Sequence, residues 1–181
     1  MTPVVSSVTR LTLAVCNNNL DLFAASQAQA LVTNVIKAYR SKQVPMVPQT
    51  NTPALPLSAD RPVSNTQQNL DKKAASSAEN LVTTALGILQ HHGIYAMFLW
   101  LKVQDKKSKH LDVAQQAIID LAAVIQEIDT ALPVDILAGL SAADGLLTDL
   151  DRMFFVKDVL EQVLIYARYQ AKAEGGDQVN D

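Results

Sequence analysis

The sequence predicts an all-α fold, a helical bundle of about five to six helices with a proline-rich linker after the N-terminal helix, and three observations carry that expectation. The chain has 24 Ala and 23 Leu in 181 residues against 6 Gly and 9 aromatics, a composition that favours helices over sheets. Apolar residues recur every three or four positions through most of its length. Five of the seven prolines, at positions 45, 48, 53, 56 and 62, fall in one stretch, so the rest of the chain is free of helix breakers except near its start and at Pro133. With 49% apolar residues the chain can bury a sizeable core.

The elements follow in order. Leu20, Phe23, Gln27, Ala30, Leu31, Asn34, Val35 and Ala38 share a stripe, widened by Leu22, Val32, Ile36 and Tyr39, with Asn19 as a candidate N-cap. Residues 1–41 are therefore an N-terminal helical segment. The proline cluster, mixed with Thr, Asn, Gln and Ser, makes residues 42–66 a linker. Residues 67–174 are the bundle proper. Its first helix carries Leu70, Ala74, Ala78, Leu81, Val82, Ala85, Ile88 and Leu89 on one stripe and stops near Gly93. Residues 94–103 are apolar on nearly every side, which predicts a helix in the middle of the bundle. Leu111, Ala114, Ile118, Leu121, Ala122, Ile125 and Ile128 mark an amphipathic helix that Pro133 ends, and a short helix fits between 134 and 147. In the last helix Leu150, Met153, Phe154, Lys157, Leu160, Leu164, Ala167 and Ala171 form the stripe, with Ser141 and Thr148 as N-cap candidates upstream. Gly175 and Gly176 open a disordered tail, 175–181.

Charge is informative only when the chain is divided. The total is −3, but residues 1–109 carry 11 basic and 5 acidic side chains, and residues 110–181 carry 4 basic and 13 acidic. A net of +6 against −9 suggests two different partner surfaces, one of them suited to phosphate. The densest basic cluster is Lys102, Lys106, Lys107 and Lys109, of which the first, second and fourth stand at i, i+4 and i+7 on one helical face. Lysines at a helix end also complement its dipole, and the same holds for Lys37, Arg40, Arg168 and Lys172. Lys72 and Lys73 sit early in their helix, where positive charge opposes the dipole, which favours an external use such as a nucleic-acid phosphate.

Several chemistries are excluded. Cys16 is the single cysteine, so no intrachain disulfide forms and a reducing, cytoplasmic compartment is expected. The longest unbroken apolar run, residues 94–101, is far short of the roughly 20 residues that span a bilayer. His91 and His92 are adjacent and point about 100° apart on a helix, without a metal-ligand partner one turn away. No Glu-x-x-His, P-loop or glycine-rich phosphate loop occurs, and no arginine is followed by His at the spacing helical ribonucleases use. Asp144, Asp149 and Asp151 read as helix-start acids. No catalytic residue, metal or cofactor is expected.

Two segments resemble a known family. Residues 81–102, LVTTALGILQHHGIYAMFLWLK, are similar to the stretch in which the Cmr small subunits of type III-B CRISPR effector complexes pass from one apolar helix through a glycine turn into a second. Gly93 matches the turn glycine and Phe98 the buried aromatic. Residues 150–173, LDRMFFVKDVLEQVLIYARYQAKA, resemble that family's last helix, with Glu161, Tyr166, Arg168, Tyr169 and Ala171 at matching positions. The likeness covers roughly the last 110 residues. It implies a non-catalytic bundle that stacks in copies alongside crRNA and target RNA and contacts the backbone and large subunits of the complex.

That role needs lysines that read phosphate in any sequence and no base-reading constellation. The expected RNA contacts are Lys102, Lys106, Lys107 and Lys109, aided by Lys72 and Lys73. The polarised charge suits head-to-tail stacking of a basic face on an acidic one. The rival expectation is a helical adaptor that binds another protein through residues 94–101 and never meets RNA. Whether residues 1–66 dock on the bundle stays open at this level.

Overall fold

The computed structural model describes residues 20–43, 63–107, 111–128, 135–142 and 145–176, all of them helical or in the turns between helices. The protein is an all-α bundle: α1 (Leu20–Gln43), α2 (Val63–Lys107), α3 (Leu111–Ile128), the short α4 (Ile136–Ser141), a 3-10 turn (Leu146–Thr148) and α5 (Leu150–Glu174). Helix α1 ends at Gln43 and α2 begins at Val63, so most of the proline-rich stretch, together with Asn19, Cys16, Lys109, His110, Pro133 and residues 177–181, lies outside the described residues.

Helix α2 is two arms. Gly93 has φ 86° and ψ −178°, a backbone conformation that side chains with a Cβ rarely adopt, and it breaks the helix where the sequence expected a stop. A straight helix would carry Gln104 about 40 Å from Ser77. Instead Ser77, Asn80, Leu81 and Thr84 line one groove together with Trp100 and Gln104, so the second arm folds back antiparallel to the first.

Cross-helix contacts fix the other directions. Gln27 reaches the Glu127 carboxylate and Asn34 donates to Asp120, so α1 and α3 are antiparallel. Asp21 accepts from Gln162 and Tyr166, while Ala28 and Gln29 share a cleft with Tyr169 and Gln170, so α1 and α5 are parallel. Gln90 donates to Glu161 near one end of the first α2 arm, and Gly175 lies beside Ala75 near the other, so that arm and α5 are antiparallel. The result is an up-down-up-down-up bundle. Helix α1 belongs to it, because Ala24, Ala28, Leu31, Val32, Val35, Ile36 and Tyr39 join the same core as Leu89, Phe98, Leu121, Leu140 and Leu160.

Four expectations are corrected. Residues 94–103 are not enclosed on all sides: Ile94, Met97, Phe98 and Leu101 are buried, but Tyr95, Leu99 and Val103 form an exposed stripe, because the arm packs at the edge of the bundle with one side toward solvent. The buried stripe of α5 begins at Val156 and runs through Val159, Leu160, Val163 and Leu164, while Leu150 and Phe154 are 61% and 51% exposed. Glu161 stands level with the start of α1 and the Gly93 turn, so the first turns of α5 project past both. Leu22, expected on the buried stripe of α1, is also exposed. The N-caps are Asp135 for α4 and Asp149 for α5, not Ser141 and Thr148, whose hydroxyls donate to the backbone carbonyls of Leu137 and Gly145. The turn between α4 and α5 is tight enough that a Cβ on Gly145 would meet the Gly139 carbonyl oxygen at 2.5 Å.

Asp120 is a polar tie between α1 and α3. Its Oδ1 accepts from the Asn34 and Gln116 amides at 3.1 and 3.0 Å, while Oδ2 is buried without a hydrogen-bond partner. Burial raises the carboxyl above its ordinary pKa, and the two amides offset this only in part. A raised folded-state pKa means that the folded chain binds more protons than the unfolded one in the window between the two values, so this residue's contribution to stability improves as pH falls from neutral through the folded pKa. Asp120→Asn keeps an acceptor for Asn34 and removes the charge. It is expected to raise Tm at pH 7, with the difference from the parent protein shrinking as the pH is lowered toward 4; a Tm difference that does not depend on pH would refute the assignment.

Candidate nucleic-acid interface

Four of the six lysine positions expected from the sequence, Lys72, Lys73, Lys106 and Lys107, are brought toward one end by the α2 hairpin. Ser77 of the first arm and Gln104 of the second line the same groove. One turn before Ser77 are Lys72 and Lys73, both exposed; just after Gln104 comes the last turn of α2, with Lys106 and Lys107. The four positions therefore share one end of the bundle, which no straight reading of the chain would place together. Lys72 and Lys73 lie in the third turn of α2, since the helix starts at Val63, so the expected conflict with the helix dipole is absent.

The same end receives the close of α5. Gly175 approaches Ala75, which places the exposed Lys172 close to this level and the exposed Arg168 one turn further along the bundle, and Lys37 and Arg40 close α1 beside it. Arg168 and Lys172 had no meaning in the sequence beyond completing a helix. Acids at this level are partly neutralised or withdrawn. The Arg40 Nε lies 2.9 Å from Asp71 Oδ1, an ionic contact out of line for a hydrogen bond, and Asp105 and Asp120 each bury an oxygen. Glu79, Glu174 and the first-turn position of α3 held by Asp112 remain, against a larger number of basic residues.

The opposite end is acidic. Asp21, Asp149, Asp151, Asp158 and Glu161 gather around the start of α5, against Arg152 and Lys157. Leu150, Phe154 and Phe155 are exposed among them, on the same side of the helix as Asp151 and Asp158. The charge split seen along the sequence is thus also a split along the bundle axis.

Lys102 stands apart. Its ammonium lies 3.5 Å from Oδ1 of Asp135, the oxygen that also caps α4 by accepting from the Leu137 N–H at 3.3 Å. Both side chains are about half exposed, so the pair contributes little to stability, but it gives Lys102 a carboxylate that a phosphate must displace. By helical register Lys102 continues the exposed stripe of Tyr95 and Leu99.

A second feature lies between the arms. The groove has a volume of about 230 Å³ and is lined by Ser77, Asn80, Thr84, Trp100 and Gln104, with Leu81, Val113 and Ala114 as its apolar part. No single pattern in the sequence pointed to it, because its two walls are on different arms; the signal was Gly93, whose turn lays the two arms side by side. His91 and His92 are exposed with their rings edge to face, 6.4 Å apart. Among the described residues no three His, Cys, Asp or Glu side chains are placed to hold a metal ion, and no helix is long and apolar enough to cross a membrane.

No family model, curated protein or solved structure matches this chain.

Proposed function

We propose that the protein is a non-catalytic structural small subunit of a type III-B CRISPR effector (Cmr) complex, working in the cytoplasm in antiviral defence. In this reading copies stack alongside crRNA and target RNA, and lysines hold phosphates without regard to sequence. The observation that carries it is the basic end of the bundle, where the hairpin gathers Lys72, Lys73, Lys106 and Lys107, and α5 adds Arg168 and Lys172. Lys102 and Lys109 extend the basic set on the chain, with Lys102 held in reserve by Asp135.

Stacking is supported by the two ends. A basic end and an acidic end on one rod favour a head-to-tail contact, which is heterologous and propagates. At the acidic end Leu150 and Phe154 stand exposed beside Asp151 and Asp158 and add apolar contact surface. The large and backbone subunits of the complex are the remaining partners in this reading.

The test is a salt series. Replacing Lys72, Lys73, Lys106 and Lys107 with alanine and measuring binding of single-stranded RNA by the assembled protein should flatten the log-log salt slope by about 0.7 for each lost contact, or close to 3 in all. An unchanged slope with unchanged affinity removes these residues from the mechanism. A second reading, a helical adaptor without RNA, is favoured by the exposed Tyr95, Leu99 and Val103 stripe. Isolation from the native cell separates the two: co-purifying short RNA with several large proteins supports the first, and a single protein partner without RNA supports the second.

A further inference from the structure

We infer that the groove between the two arms of α2 holds one unstacked base of the bound strand, with Trp100 as its stacking platform and Asn80 and Gln104 as its hydrogen-bonding walls. The inference rests on the RNA reading and goes beyond it, since phosphate contacts alone require no such pocket.

Three observations point the same way. First, the groove wall is polar on a helix that is otherwise apolar where it meets its partner: Ser77, Asn80 and Thr84 occupy one stripe of the first arm. Among the described residues no side-chain hydrogen bond engages the Asn80 or Gln104 amide or the Trp100 indole N–H, so all three groups of this groove can meet a ligand. Unused amides beside a half-buried aromatic ring offer donor, acceptor and stacking surface at one place, which is what a base presents to be read.

Second, the size is right. At about 230 Å³ the groove is smaller than the roughly 300–1,000 Å³ of a site for a drug-sized ligand, and it is open to solvent along the arms. It fits a fragment of one ring system whose attached backbone continues outside.

Third, the phosphates of such a nucleotide have somewhere to go. Lys73 precedes Ser77 by one helical turn on the groove stripe, and Lys107 holds the register position seven residues after Trp100 on the facing arm. Along the first arm the groove stripe passes through Lys73, Ser77, Asn80, Thr84, Gly87 and His91 without meeting an acid. A base seated against Trp100 therefore has its backbone leaving toward the basic end.

The chain contains one tryptophan, so fluorescence excited on the red side of tyrosine absorption reports this groove alone. The full-length protein is titrated with a uridine 12-mer, an adenosine 12-mer and an abasic ribose-phosphate 12-mer of equal charge. The base-bearing oligomers are expected to quench Trp100 and to bind about fivefold to a hundredfold more tightly than the abasic strand, the range set by stacking one base on an aromatic side chain. Asn80→Ala and Gln104→Ala should reduce that difference without altering affinity for the abasic strand; Lys73→Ala should weaken all three oligomers alike. Equal affinity for all three with unchanged fluorescence overturns the base pocket and leaves the phosphate reading standing. If none of the three binds, the RNA reading itself fails and the pocket falls with it. Trp100→Phe, which keeps a ring in place, gives an independent check by anisotropy of labelled RNA: the preference for base-bearing strands should persist in weakened form, and a preference that is wholly unaffected by Trp100→Phe, Asn80→Ala and Gln104→Ala places the stacking elsewhere.

Discussion

Phe98→Ala is expected to cost about 3–5 kcal/mol of folding stability, read as a lower midpoint in urea with little change in slope. Phe98 is 1% exposed and is the bulkiest fully buried side chain among the described residues. It stands on the second arm of α2 between Met97 and Leu101, which are likewise buried, so its removal leaves a cavity in the core that a close-packed interior closes only in part. The neighbouring substitution Leu99→Ala supplies the contrast. Leu99 is 46% exposed on the solvent stripe of the same arm, and its loss should stay within about 1 kcal/mol. If the two substitutions cost the same, the arm does not sit at the edge of the bundle in the way its burial pattern requires.

That contrast also shows where the sequence was readable. Helices α1, α3 and the first arm of α2 repeat apolar residues at helical spacing, and Ala74, Ala78, Val82, Ala85 and Leu89 are buried as their stripe required. The second arm and the start of α5 were misjudged for one reason: both are apolar on more than one side, and periodicity cannot say which apolar side meets the core. Tyr95 and Leu99, and Leu150 and Phe154, differ from their buried neighbours only in what lies across from them. The candidate interface was legible in part. Lys102, Lys106 and Lys107 form a cluster in any local reading, and Lys72 and Lys73 form another, but their meeting at one end depends on the chain reversal at Gly93. Arg168 and Lys172 join them only because α5 is antiparallel to the first arm. The groove was out of reach, since Asn80 and Gln104 are unremarkable polar residues until the hairpin sets one against the other.

Gly93→Ala is the substitution expected to separate these parts again. At φ 86° and ψ −178° the residue occupies a region almost confined to glycine, and nothing lies within 4 Å of where a Cβ would be, so the cost is backbone strain and not a clash. Holding the turn with alanine should cost about 1–3 kcal/mol. The chain has an alternative, which is to let α2 run on as one helix, because alanine is the best helix former and the residues on either side are already helical. That alternative draws Ile94, Met97, Phe98 and Leu101 out of the core, so it too is unfavourable, and the variant is expected to lose stability by either route. Gly87→Ala is the matched control: Gly87 is inside the first arm with open space around it, and there the same change should add about 0.5–1 kcal/mol. One substitution type, six residues apart on one helix, thus has opposite signs. The variant also tests the interface. Where Gly93→Ala populates the extended helix, Lys106 and Lys107 move away from Lys72 and Lys73, and the salt slope for RNA should fall even though every lysine is still present. A Gly93→Ala protein with parental Tm and parental salt slope would show that the reversal at Gly93 does not assemble the basic end.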